Sequence, residues 1–286
     1  MSTILQYLVN VLLATAMHLG LLVVPIILLG FAMHFISKQM EQLTCKIIGK
    51  QGYLYLFGWL GTAVHEVGHL VFALIFGHHI SNVKLFSLNA NNPELGFVKH
   101  SFNKKNIYQN IGNFFIGIGP ILLGGSSLFI VSYFLFNINI NDLNISSLKI
   151  NYLSFSSDIK ATFYAVYDVL MNFLKTILQN NNEAWWKYLL FFYLLFAIGS
   201  SISLSKSDIK GSLQGLLLFI SLILLFNLST YWIGNFATTI FAFIAQLMTS
   251  FYLVLLISIV FNLGFLLFLW IITLFIPTKI EKKKIK

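Results

Sequence analysis

Apolar residues do not alternate with polar ones along most of this chain; they come in long runs separated by a few polar segments. A helix that crosses the hydrocarbon core of a bilayer needs roughly 20 consecutive apolar residues. Runs of that order cover residues 5–35, 53–76, 111–136 and 188–204, the first long enough to tilt or to bend at Pro25. Beyond Gly211 an almost unbroken apolar stretch reaches Pro277, too long for one helix. It divides into two spans, or into three if residues 229–234 and 249–250 are both turns. The preferred count is about six transmembrane helices.

Two polar regions interrupt the runs. Residues 78–109 hold Asn, Pro and Gly together with short alternating stretches such as Val83-Lys84-Leu85-Phe86, the period-2 signature of strands or a hairpin. Residues 137–183 are rich in Asn and Ser. Within them, apolar residues at 159–178 recur at helical spacing, which predicts an interfacial amphipathic helix. No internal repeat occurs at the periods of solenoids or propellers. The expected fold is an all-α polytopic membrane protein with a short β-hairpin-like segment after the second span. Its expected organisation is an N-terminal helix and loop at 1–52, a core at 53–211 that includes the polar insert 137–183, and C-terminal helices with a basic tail at 212–286.

Composition makes the membrane reading firm. Only 9% of the 286 residues are charged and 58% are hydrophobic, with mean hydropathy +0.83, whereas a soluble domain carries about 25% charged residues. A chain this apolar cannot cover itself with polar surface, so lipid must be its partner. The net charge of +9 comes from 18 Lys and no Arg. Nucleic-acid binders favour Arg forks for phosphates and bases, so nucleic acid is not an expected partner. Lys clustered in loops and in the tail (Lys279, Lys282, Lys283, Lys284, Lys286) fits topology signals and anionic lipid instead. With the tail cytoplasmic, counting crossings back puts a loop at 206–210 and the 78–109 segment on the same side, although Lys38, Lys46 and Lys50 then lie outside. The expected location is a multi-pass protein of a bacterial cell membrane. The first helix, lacking a basic leader and a cleavage site, reads as retained. A lone cysteine, Cys45, excludes an internal disulfide and a multi-cysteine zinc cluster.

Candidate chemistry concentrates in Gly61-Thr62-Ala63-Val64-His65-Glu66-Val67-Gly68-His69-Leu70. Histidines four apart project from one helical face and can bind one zinc ion. Glu66, next to the first, can serve as general base and then as proton donor. Of nine acidic residues Glu66 alone lies well inside a spanning helix. A charge at mid-bilayer costs about 2.5–3.5 kcal/mol on insertion scales, so the placement argues for function over a polar cluster that merely glues helices. A third ligand is required, and Asp208, just beyond the fourth run, can approach if that helix runs on a turn or is broken near Ser205. Otherwise Asp208 is a loop acid paired to Lys206 or Lys210.

His65-Glu66-x-x-His69 in a membrane helix, followed by an acid near a later helix end, resembles the site-2 protease family of intramembrane zinc metalloproteases. The resemblance covers roughly residues 53–211. It implies a metalloprotease core of three spanning helices, with zinc on His65, His69 and Asp208, Glu66 as the catalytic residue, and a membrane protein or peptide as substrate. Gly117-Ile118-Gly119-Pro120 is similar to a Gly-Pro feature of the family's middle core helix. The segment 84–100 is similar to strands that present an extended substrate. Where the family carries Asn, Pro and a Gly directly after the Asp, this chain has Ser200, Ser203 and Ile209, with Gly211 two places on.

Three further residues are substrate-binding candidates. His100 can meet a substrate carbonyl or oxyanion, and Asn110 or Asn113, at the start of the third run, can orient a scissile carbonyl. Each has a plainer reading as a solvated or interfacial side chain. Two other functions stay open from the sequence: a transporter or metal-handling protein with His and acids along an ion path, and an inactive membrane scaffold of the same fold. The near absence of polar residues in the last 60 positions argues against the first, and the intact Glu66 against the second. The oligomeric state is not legible.

Overall fold

A computed structural model describes residues 3–89, 94–137, 164, 167–168, 171–177, 184–234 and 236–275. The basic tail and most of the 137–183 insert lie outside the described residues. Seven long helices carry the fold: α1 (Thr3–Leu22), α2 (Val24–Tyr53), α3 (Trp59–Ile75), α4 (Ile107–Phe136), α5 (Trp185–Gly199), α6 (Lys206–Thr230) and α7 (Phe236–Phe275). Among the described residues four stretches are long and apolar enough to cross a membrane: 3–75, 107–136, 207–233 and 251–275. The chain is an all-α polytopic membrane protein. Its outer surface is apolar, with side chains such as Phe134 and Phe275 three-quarters or more exposed, as lipid contact requires.

The first stretch is kinked at one residue. α1 runs into α2 with little break, because Val23 and Ile27 keep their backbone bonds to Leu19 and Val23 and Pro25 sits in the first turn of α2, where no donor is needed. Gly49 then takes φ 78°, ψ 160°, a conformation that side chains rarely permit, and splits α2. A π-helical turn, Leu54–Gly58, leads into α3. α5 is a shorter apolar helix of 15 residues. The hairpin follows α3. Of the two turns considered after Gly211, the first is present as the 3-10 turn Tyr231–Ile233 with Gly234 at φ 71°; α7 passes through 249–250 as helix.

α3 closes at Gly77, φ 67°, with His78 N–H reaching back to the Ala73 carbonyl. Two antiparallel strands follow, β1 (His79–Lys84) and β2 (Phe97–Ser101), with Val83 opposite Val98 and a bulge between Ile80 and Asn82. Asn106 caps α4 by accepting from Gln109 N–H.

α4 is the central helix, and both α3 and α6 pack along it. The expected fourth span at 188–204 is corrected here. α5 stops at Gly199, residues 200–205 are not helical, and α6 begins at Lys206, so 206–210 is the first turn of a helix and not a loop. α5, the break and α6 run antiparallel to α4 as one discontinuous path. Phe191 stacks edge-on against Phe136, Ile202 meets Gly124, Ser212 meets Gly117, and the backbone at 110–114 meets Gly215. At about 1.5 Å per residue α5 reaches only some 22 Å, short of a hydrocarbon core of about 30 Å. Non-helical backbone at membrane depth is stable only when buried in protein or beside water. The site explains the break.

Candidate metal centre

His65 and His69 lie one turn apart on α3 and point their Nε2 atoms at each other across 3.2 Å. The Asp208 carboxylate closes the triangle, with Oδ1 3.4 Å from His69 Nε2 and Oδ2 3.8 Å from His65 Nε2. One ligand atom from each residue falls within 4.8 Å of every other. Asp208 thus comes from the first turn of α6, 142 positions from Glu66 in sequence, whereas the sequence places it after the end of the preceding span.

Backbone carbonyls decide what these nitrogens offer. His65 Nδ1 lies 3.0 Å from Ser201 O and His69 Nδ1 2.8 Å from Ile116 O. A carbonyl only accepts, so each Nδ1 carries the proton and each Nε2 presents a lone pair. Two lone pairs and a carboxylate that face one another repel unless a cation sits among them. A tetrahedral ion with bonds of about 2.0–2.1 Å has ligand edges of roughly 3.3–3.4 Å, close to the separations seen. The residues fit a divalent metal.

Local sequence explains the placing of each group. Ser205 and Asp208 form a capping box on α6: Asp208 N–H donates to Ser205 Oγ at 3.1 Å and Ser205 N–H to Asp208 Oδ2 at 2.7 Å. The same bond therefore caps the helix and turns Oδ1 toward His69. In a continuous helix Ser205 N–H would serve the carbonyl of Ser201. Here it goes to Asp208, and the Ser201 carbonyl is shared between Ser203 N–H at 2.8 Å and His65. Glycines let the helices close. A Cβ on Gly119 would lie 2.6 Å from Gly68 O on α3, and one on Gly117 2.8 Å from Asp208 O on α6.

Glu66 is 8% exposed and lines a cavity of about 620 Å³ together with the three candidate ligands. Serines 200, 201, 203, 205 and 207 line it too, so the non-helical segment faces a cavity with polar walls. One wall is Phe97 and Val98 of β2. Gly96, just before β2, is pressed so close that a Cβ there would come 2.6 Å from Glu66 Cγ.

Of the substrate-binding candidates, His100 and Asn113 line the cavity. Asn110 does not: its amide donates to the carbonyls of Lys104 and Asn106 at 2.7 and 2.8 Å and ties the loop before α4. His100 has a partner that sequence reading missed. His78 Nε2 faces Gln109 O at 2.8 Å, so its Nδ1 is bare and accepts from His100 Nδ1–H at 2.9 Å. Neutral His100 is left with an accepting Nε2, suited to an N–H more than to an oxyanion. Burial first, then the neighbouring His78 and His69, lowers the His100 pKa below the ordinary 6.5. The partner was legible only as a histidine just after α3; pairing at 78 and 100 needs the hairpin.

Compared with family models, with curated proteins and with solved structures, the chain matches none.

Proposed function

We propose that this protein is a zinc-dependent intramembrane endopeptidase that cuts a membrane-spanning or membrane-associated polypeptide. One observation carries the reading: His65 Nε2, His69 Nε2 and the Asp208 carboxylate converge within 4.8 Å, with both Nδ1 atoms tied to carbonyls and Glu66 in the same cavity. A zinc ion held by His65, His69 and Asp208 would supply Lewis acidity, lowering the pKa of a water and polarising a peptide carbonyl.

The chain's own residues do the rest. Glu66 takes the proton of the attacking water and returns it to the departing amine. Its burial beside Gly96 holds the carboxylate against the strand that borders the cavity. A helical substrate hides its carbonyls in its own hydrogen bonds, so it must be extended before it is cut. A peptide lying beside β2 would be held so, by main-chain pairing, with Phe97 and Val98 at the cavity wall. His100 Nε2 accepts a substrate N–H, and Asn113 lies where it can meet a carbonyl. The serine-lined break admits water to a depth that lipid would keep dry.

The test is metal analysis of purified protein in detergent, followed by a cleavage screen of membrane substrates. About one zinc per chain and cleavage abolished by Glu66→Gln are expected. Folded protein that binds no zinc even when it is supplied would overturn the reading.

A further inference from the structure

Pro120 lies inside α4. In a helix the N–H of residue 120 donates to the carbonyl of residue 116, but proline has no N–H. Ile116 O is the carbonyl that faces His69 Nδ1 at 2.8 Å. The ring also lies at a close approach of α3 and α4, where a Cβ on Gly68 would meet Pro120 N and Cα at 2.7 Å. The carbonyl and the histidine are thus brought together by the residue that frees the carbonyl.

We infer that Pro120 is a positioning residue for the metal centre: by withholding the i+4 donor it reserves the Ile116 carbonyl for His69 Nδ1–H, which fixes the tautomer and aims Nε2 at the ion. The inference rests on the metal-centre reading. His65 differs: its carbonyl partner, Ser201, lies in the non-helical segment and also accepts Ser203 N–H at 2.8 Å.

The experiment compares wild type with Pro120→Ala and Pro120→Gly, which restore the N–H, and with Gly119→Ala, which only crowds the α3–α4 contact. Zinc affinity is measured by chelator competition, Co²⁺ absorption reports ligand geometry, and thermal midpoints are taken without metal. The expected result for both Pro120 variants is zinc affinity weaker by about 10–100-fold, the usual loss when a ligand's orienting partner goes. Their Co²⁺ spectra change, and the metal-free midpoint of Pro120→Ala stays level or rises because a helical bond is regained. Gly119→Ala loses affinity and midpoint together. Pro120 variants that bind zinc within about two-fold of wild type overturn the inference while the metal centre stands. So does a parallel loss of midpoint and affinity like that of Gly119→Ala. If the Pro120 variants do not fold, ¹⁵N spectra of the metal-free wild-type histidines decide: His69 protonated at Nδ1 supports the inference and at Nε2 overturns it. Wild type that takes up no zinc removes both readings at once.

Discussion

Two polar clusters that contain histidine sit at opposite ends of α6, and they are built differently. At the last turn, Asn227 Nδ2 lies 3.0 Å from Thr15 Oγ1 and 3.2 Å from His18 Nδ1, both on α1. The His18 ring stacks on Phe241 at 4.0 Å. There the amide nitrogen donates to the hydroxyl and the imidazole and the ring rests on an apolar face, while Asn227 Oδ1 is buried without a hydrogen-bond partner. At the first turn, Asp208 and the two α3 histidines present only acceptors to one another, and a 620 Å³ cavity opens beside them. In the first a donor faces acceptors; in the second acceptors face one another. What separates glue from a site in a membrane is which atoms face inward, since histidine and a polar partner occur in both.

The sharpest way to break this comparison is to remove ligands at each end. His65→Ala, His69→Ala or Asp208→Asn is expected to take bound zinc from about one per chain to near none by elemental analysis. His18→Ala and Asn227→Leu should leave it unchanged, and a loss of zinc with His18→Ala would erase the distinction. Glu66→Gln is expected to keep the metal and lower cleavage by about 10²–10⁴-fold, the scale of general acid–base catalysis. Equal cleavage by wild type and variant would remove Glu66 from the chemistry.

Smaller effects sharpen the picture. Gly117→Ala pushes a methyl against Asp208 O and Ser212 Cβ, built at 2.8 and 2.6 Å, so zinc affinity should fall about ten-fold as α6 moves off α4. Asn227→Leu should cost stability on the order of 1 kcal/mol, the range for hydrogen bonds between membrane helices, read from unfolding in mixed micelles with zinc content unchanged. The smallest effect belongs to His100. With its pKa lowered in the folded chain, the unfolded chain binds more protons between that lowered value and 6.5. Stability therefore rises with pH across that window, and His100→Gln should flatten the rise. A His100 ring that titrates at or above 6.5 by ¹⁵N NMR would contradict its burial beside His78.

The spacing of His65, Glu66 and His69 was legible because it is a property of one helix: four residues make a turn, and a polar triplet in an apolar run has few alternatives. Asp208 was legible by elimination, as an acid near a span end. Its setting was not. Residues 188–230 read as apolar runs with a serine-rich interruption, and whether such a stretch bends in a loop or breaks beside water depends on what packs against it. Asn110 shows the same limit from the other side. Its position at a helix start fits a substrate contact or a loop tie equally, and the neighbouring carbonyls of Lys104 and Asn106 choose the tie.

The sequence by itself determined the solvent, the approximate helical segments, the hairpin after the second and the histidine face of α3, because each follows from local periodicity and from the cost of burying charge in lipid. Only the tertiary structure decided that α6 begins at the site, that its capping box aims the acid, and that the Ile116 and Ser201 carbonyls hold the two imidazoles. These depend on contacts such as His69 with Ile116 and His65 with Ser201, 47 and 136 positions apart. Close approach at Gly68, Gly117 and Gly119 brings such groups within bonding distance, and no pattern within a few turns of chain encodes it.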